Sequence, residues 1–193
     1  MKIAKDSQLI VLMGIKHSGK SSLGRMIAQK LGYDFIDVDD VIEDMTGISC
    51  RQLYHKKGKD AFIAVELLAC KEVLSSCKRP LLIATGGGIC DNAEALDVLQ
   101  SSGALLLYLF VSKRIACNRI IASSKKRGSY PPYIGEKIKS DFGNESFDEV
   151  CAVFHPFYTE RAATYEKIAD ARVSLNDDGK EKNAQKILDA LCL

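Results

Sequence analysis

The run Gly14-Ile15-Lys16-His17-Ser18-Gly19-Lys20-Ser21 has the spacing GxxxxGK[ST], an order of residue types that suits a polyphosphate. Glycines let the backbone come close to the anion. Successive N–H groups point at it, and the positive end of a following helix adds to the field. Lys20 would bridge the β- and γ-phosphates, and the Ser21 hydroxyl would ligate Mg²⁺. Gly14, Ile15, Lys16, His17, Ser18, Gly19, Lys20, Ser21 and Ser22 are therefore expected to bind ATP. His17 is bulky for such a loop and is expected to turn to solvent.

A second chemical run is Phe35-Ile36-Asp37-Val38-Asp39-Asp40. It places carboxylates at the end of an apolar segment. In a phosphoryl-transfer site one such carboxylate acts through Mg²⁺, and another accepts or orients the proton of the attacking hydroxyl. Asp37 and Asp39, two apart on an extended chain, point the same way, and Asp40 is the expected cap of the next helix. A third run, Thr85-Gly86-Gly87-Gly88, frees the backbone for close approach or unusual dihedrals and can present N–H groups to a substrate. Arg119 and Arg127 flank or occupy an irregular segment whose cations suit a lid over the transferring phosphoryl group, while Arg161, on a late helix, reads by itself as a surface salt bridge.

These residues need a frame. Five short apolar runs read as strands: 9–13, 35–38, 81–85, 104–109 and 172–175. The first, third and fourth are unbroken, as strands buried on both faces are. Helical patterns alternate with them at 20–31, 60–76 (Asp60 as cap), 92–100, 113–122, 157–168 and 182–191. The alternation predicts an α/β fold, three layers α/β/α around a five-stranded parallel sheet. Ligands of such sheets bind beyond the carboxyl ends of the strands, where the three runs fall. Residues 1–193 read as one P-loop kinase domain. Its irregular segment 123–146, rich in Ser, Lys, Gly and Pro, reads as a lid-like insertion.

The composition narrows the class. A net charge of +2 over 193 residues gives no basic footprint for nucleic acid. No apolar stretch approaches the roughly 20 residues that span a bilayer. Met1–Gln8 leads into an apolar run too short for a signal-peptide core, so the expected location is cytoplasmic. The cysteines (Cys50, Cys70, Cys77, Cys90, Cys117, Cys151, Cys192) show no CxxC pair. They are expected to be reduced and structural, with Cys70 and Cys77 sharing a helix face.

Taken together, the phosphate loop, Phe35-x-Asp37-x-Asp39-x-x-Ile42-Glu43, Gly58-x-x-x-Phe62-x-x-x-Glu66, Gly86-Gly87-Gly88, Arg161-x-x-x-Tyr165 and Ala169-Asp170 resemble, in order and over nearly the whole chain, the shikimate kinases of the nucleoside-monophosphate-kinase-like P-loop group. The resemblance implies that Asp39 binds the acceptor hydroxyls and serves as base, while Asp37 supports Mg²⁺. It gives Gly86, Gly87, Gly88 and Arg161 to the acceptor, Arg161 through its carboxylate. It sets Arg119 near the adenine and Arg127 near the phosphates as the lid arginine, and it implies a monomer. The catalytic set is then Lys20, Asp39 and Arg127.

The chain departs from that family on the acceptor side. Ile63 stands where shikimate kinases carry a carboxylate-gripping arginine, and Lys59 stands where a glutamate is usual. The lid's compact Arg-Pro-Leu-Leu is replaced by Arg127-Gly128-Ser129-Tyr130-Pro131-Pro132-Tyr133. A charge-assisted hydrogen bond is worth about 1.5–3 kcal/mol, so losing the arginine alone weakens carboxylate binding roughly ten- to a hundredfold. The acceptor stays open between shikimate and another small hydroxylated metabolite. A nucleotide-binding protein without turnover is the third reading.

Overall fold

The computed structural model describes residues 8–76 and 80–191. The N-terminal leader reading, Cys77 and Cys192 lie outside the described residues. Strands β1 (Leu9–Met13), β2 (Asp34–Asp37), β3 (Leu81–Ala84), β4 (Leu105–Val111) and β5 (Ala171–Leu175) form one sheet in the order β2-β3-β1-β4-β5. All neighbours are parallel; Val11 stands opposite Ile83 on one side and Leu106 on the other. The three unbroken apolar runs occupy the middle of the sheet, with β1 and β3 wholly buried. The edge strands expose Asp34 on β2 and Arg172 and Ser174 on β5, while Asp37 at the end of β2 is buried.

The layers are α1 (Lys20–Leu31), α2 (Val38–Thr46), α3 (Cys50–Ser76), α4 (Ala93–Ser101), α5 (Lys113–Arg127), α6 (Pro132–Gly135), α7 (Phe147–Ile168) and α8 (Lys180–Ala190). Helix α1 ends at Gly32, whose left-handed backbone (φ 69°) turns its N–H to the Ala28 carbonyl. Asp170 opens β5: its N–H donates to Leu106 O and its Oδ2 accepts from Leu106 N at 2.8 Å. That double bond fixes the register of the edge strand.

Several helix ends differ from expectation. Helix α3 starts at Cys50, not Asp60, and bends at Gly58, where φ 84° and ψ 177° leave the helical region. Asp37, not Asp40, caps α2, its Oδ1 accepting from Asp39 N at 3.1 Å. Asp40 lies in the first turn and pairs with Arg25 at 2.8 Å. Helix α5 runs on to Arg127, so the first residues of the irregular segment are helical. Its cationic last turn, Lys125-Lys126-Arg127, suits the negative end of the helix dipole. Helix α7 starts at Phe147, capped by Ser146, and carries Pro156 inside it. Among the described residues the cysteines are free, and no helix is long and apolar enough to cross a membrane.

Helix α1 lies tight on the sheet because of Gly24. A Cβ there would stand 2.5 Å from Phe35 Cε2 and 3.1 and 3.2 Å from methyls of Leu12 and Leu82. Gly24→Val is expected to lower stability by about 1–3 kcal/mol through overpacking, read as a shift of the urea midpoint. An unchanged midpoint would show that the helix has room to spare.

Candidate active site

The loop between β1 and α1 is held open by its own backbone. Gly14 (φ 150°) and Gly19 (φ 107°) adopt conformations that favour glycine, and a Cβ on Gly14 would lie 2.7 Å from Leu109 O. Lys20 is 7% exposed and folds back to donate to Gly14 O at 2.7 Å and Ile15 O at 3.0 Å. Burial holds its ammonium down to about 8, although Asp39 and Asp37 pull the other way. Ser18 is fully buried and its hydroxyl has no hydrogen-bond partner among the described residues. A desolvated cation and an orphaned hydroxyl on a ring of backbone amides fit an incoming anion. Ser21 stays exposed at the mouth of the same cavity, and Ser22 Oγ is turned back onto Gly19 O at 3.3 Å.

His17 does not turn to solvent as expected. It is half-buried at φ 64°, and burial, then the cations Lys16, Arg127, Lys20 and Arg119, hold its ring down to about 4. It is therefore neutral at ordinary pH. The explanation lies in Arg119, whose Nη1 donates to His17 O at 3.1 Å and Ser18 O at 3.3 Å. Its Nη2 donates to Asn176 O at 3.3 Å and pairs with Asp177 at 3.0 Å. Arg119 thus ties the loop to the carboxyl end of β5.

The two carboxylates meet at a corner rather than along a strand. Strand β2 ends at Asp37 and α2 begins at Val38, so the cap bond from Asp39 N to Asp37 Oδ1 sets their separation. Burial and then the Asp37 charge push the Asp39 carboxyl above the usual range, with Lys20 and Lys16 opposing.

The triple glycine is a matter of space, for none of Gly86, Gly87 or Gly88 has positive φ. A Cβ on Gly86 would stand 2.9 Å from Glu66 Oε1 and 3.1 Å from Asp39 Oδ1; on Gly87, 2.6 Å from Lys16 N; on Gly88, 3.3 Å from Arg161 Nη2. Three different walls of the site converge here. Arg161 is set by Asp91 at 2.7 Å and donates to Gly87 O at 3.3 Å, its guanidinium 5.6 Å from the Tyr133 ring.

Three residues were not assigned roles from the sequence. Glu66 is 1% exposed and accepts from Asn92 Nδ2 at 3.0 Å, and its Oε1 has no hydrogen-bond partner among the described residues. Burial pushes its carboxyl up to about 7, against the Asn92 bond. Asp91 orients Arg161 from 70 residues away. Arg51 reaches Tyr130 O at 3.0 Å and joins α3 to the segment after α5. The only advance signal was Glu66's place in an ordered motif.

All the predicted groups except Gly14, Ile15 and Asp37 line one cavity of about 1110 Å³. Gly14 and Ile15 contribute carbonyls to Lys20, and Asp37 stands behind Asp39. Arg127, in the last turn of α5, faces the same space and makes no ion pair among the described residues.

Known proteins share both sequence and shape with this chain. The shikimate kinase of Marinomonas sp. (strain MWYL1) is 37% identical over 103 residues, 53% of this chain and 56% of the relative. The chain spans about half the length of the first curated relatives it matches. Shikimate kinase from Acinetobacter baumannii, solved in complex with shikimate, superposes with a TM-score of 0.76 at 23% identity, covering 97% of this chain and 94% of that one; it is a likeness of fold. Shikimate kinase from Aquifex aeolicus gives 0.69 at 26% identity over 94% of each chain. The sheet order and the loop are thus those of a P-loop NTPase. A model of the family described as shikimate kinase matches residues 16–192, and on that match this chain belongs to the shikimate kinase family.

Proposed function

We propose that the chain transfers the γ-phosphoryl group of ATP to a hydroxyl of shikimate, with Mg²⁺ bound beside the phosphates. One observation carries this reading. The buried, anion-less Lys20, the carboxylate Asp39 and the Asp91-set Arg161 open into one cavity across three glycines that leave room for a ligand. In this reading Gly14–Ser22 cradle the phosphates, and Ser21 and Asp37 hold Mg²⁺, which screens phosphate charge when bound. Asp37 uses Oδ1 as a helix cap, leaving the rest of its carboxylate for that task. The fit rests on the orphaned Ser18 hydroxyl and the desolvated Lys20.

Asp39 takes the proton as the acceptor oxygen bonds to γ-phosphorus and the bond to ADP breaks. Arg161 and Gly86–Gly88 hold the acceptor. Lys20 and Arg127 carry charge at the transferring group, and Arg119 braces the adenine side. Segment 123–146 serves as the lid, with Arg127 and Tyr133 on its inner side. The reading takes the chain as a monomer and places it in the cytoplasm. A second reading, a kinase of another small hydroxylated metabolite, is favoured by one observation: Ile63 does not line the cavity.

ADP release from Mg²⁺-ATP should rise strongly with submillimolar shikimate; no rise, with ATP binding intact, would move the acceptor to another metabolite. Asp39→Asn should cut kcat at least ~10²-fold while MgATP affinity holds, the pattern of a lost general base. If kcat held and only the ATP KM rose, Asp39 would be a nucleotide residue instead. The pH profile has a definite sign. Lys20 loses its charge as pH rises through about 8, so kcat/KM for ATP should fall above that point. Asp39 is protonated as pH falls, at a value above the usual carboxylate range, so kcat/KM for the acceptor should decline on the acid side. A profile for ATP flat well beyond pH 8 would contradict the Lys20 assignment.

A further inference from the structure

Lys16 is a second lysine on the phosphate loop, and the roles given so far use only its backbone. That backbone is fixed: its N and Cα lie 2.6 and 2.8 Å from where a Gly87 Cβ would stand. The half-buried side chain enters the cavity that also holds Asp39, Arg51 and Arg127. Among the described residues its ammonium makes no hydrogen bond and no ion pair, although burial has stripped much of its water. The charges acting on it most strongly are Asp39, then Arg127 and Arg51, one acid against two cations. Lys20 feels both Asp39 and Lys16 from the other side.

Around the Lys16 ammonium, Arg127 and Arg51 therefore outnumber the one acid, Asp39. A desolvated ammonium without a protein partner is costly. Lys16 and Lys20 both act on Asp39, and Arg127 acts on Lys16 across the same cavity. In the reaction proposed above, a charged group that enters this cavity is the phosphoryl group between ADP and the acceptor hydroxyl.

We propose that Lys16 is a further catalytic cation, which stabilises the phosphoryl group in transit together with Lys20 and Arg127. This rests on the kinase reading. The acceptor oxygen–phosphorus bond forms, the phosphorus–oxygen bond to ADP breaks, and the hydroxyl proton goes to Asp39. Lys16 keeps its own protons throughout and contributes charge alone.

Lys16→Met keeps the stem and the backbone contact to Gly87 and removes the charge. Two measurements read the result. Binding of MgADP alone is compared with MgADP plus aluminium fluoride, a planar mimic of the phosphoryl group, in parent and variant. Turnover then separates kcat from KM. We expect MgADP affinity within about threefold of the parent, a gain from fluoride reduced at least ~tenfold, and kcat down roughly ten- to a hundredfold, with Lys16→Arg recovering most of both. A normal fluoride gain with a raised acceptor KM would overturn the proposal and make Lys16 a ground-state acceptor contact. No change in any quantity would overturn it as well. The fluoride arm needs no acceptor. A parent that ignores shikimate, with the fluoride gain present and lost in Lys16→Met, would remove the shikimate assignment and leave the Lys16 role in place.

Discussion

The site is organised around a cation drawn most of the way out of water. Lys20 is almost wholly buried, and two loop carbonyls are its hydrogen-bond partners among the described residues. Carbonyl dipoles offset only part of the desolvation of an ammonium, so the remaining compensation comes through space from Asp39 and Asp37. Those acids must stand at fixed distances, which the strand–helix corner at Asp37 provides. The loop must also resist collapse onto its own lysine. Arg119 secures it from the β5 side, and Leu109 O and Gly87 close on it from β4 and β3. The central strands β3, β1 and β4 thus act as a jig whose carboxyl ends determine where one buried charge can sit.

The nucleotide half was legible because its determinants are local. Strand, glycine-rich turn, lysine, hydroxyl and helix follow one another within residues 9–31, and β1 and α1 have the expected bounds. Unbroken apolar runs likewise marked the central strands. What escaped the sequence was set by partners distant along the chain or by residues whose pattern misleads. Asp91 with Arg161 and Asn92 with Glu66 are tertiary pairs without local signal. Helix α5 continues through Ser123–Arg127, where apolar periodicity has stopped but a cationic last turn and Gly128 (φ 72°) complete it. Helix α7 hides its first turns behind Pro156. The cap of α2 was misplaced because three aspartates lie within four residues, and only backbone geometry selects among them.

Glu66 shows what the change at position 63 does to its surroundings. With isoleucine one turn earlier on α3, no cation from that helix is paired with the carboxyl among the described residues; Asn92 bonds Oε2 and also Ile63 O. Burial then dominates, and the group titrates near neutrality. Its Oε1, which has no hydrogen-bond partner among the described residues, and the Asp39 carboxylate both border Gly86, so this side of the cavity sets one carboxylate beside one carboxyl that is partly neutral at pH 7.

The two sides of the cavity are built from different materials. The loop is hemmed in by main chain: Gly14 against Leu109 O and Gly87 against Lys16 N, with the neighbouring Thr85 N–H on Leu12 O. Replacing any of these residues moves main chain that also belongs to the sheet, and the cost spreads into the core. The opposite walls of the cavity are side chains on helices: Tyr54, Lys59, Phe62 and Glu66 from α3, and Arg161 from α7. Gly58 interrupts α3 between Tyr54 and Lys59, so the two flanking segments meet the cavity at different angles. A side chain on such a wall can change its charge or length while the backbone stays in place, and Lys59 stands on such a wall. The same reasoning places Lys16 on the boundary, its backbone bound by the rules of the loop and its side chain free to acquire a task.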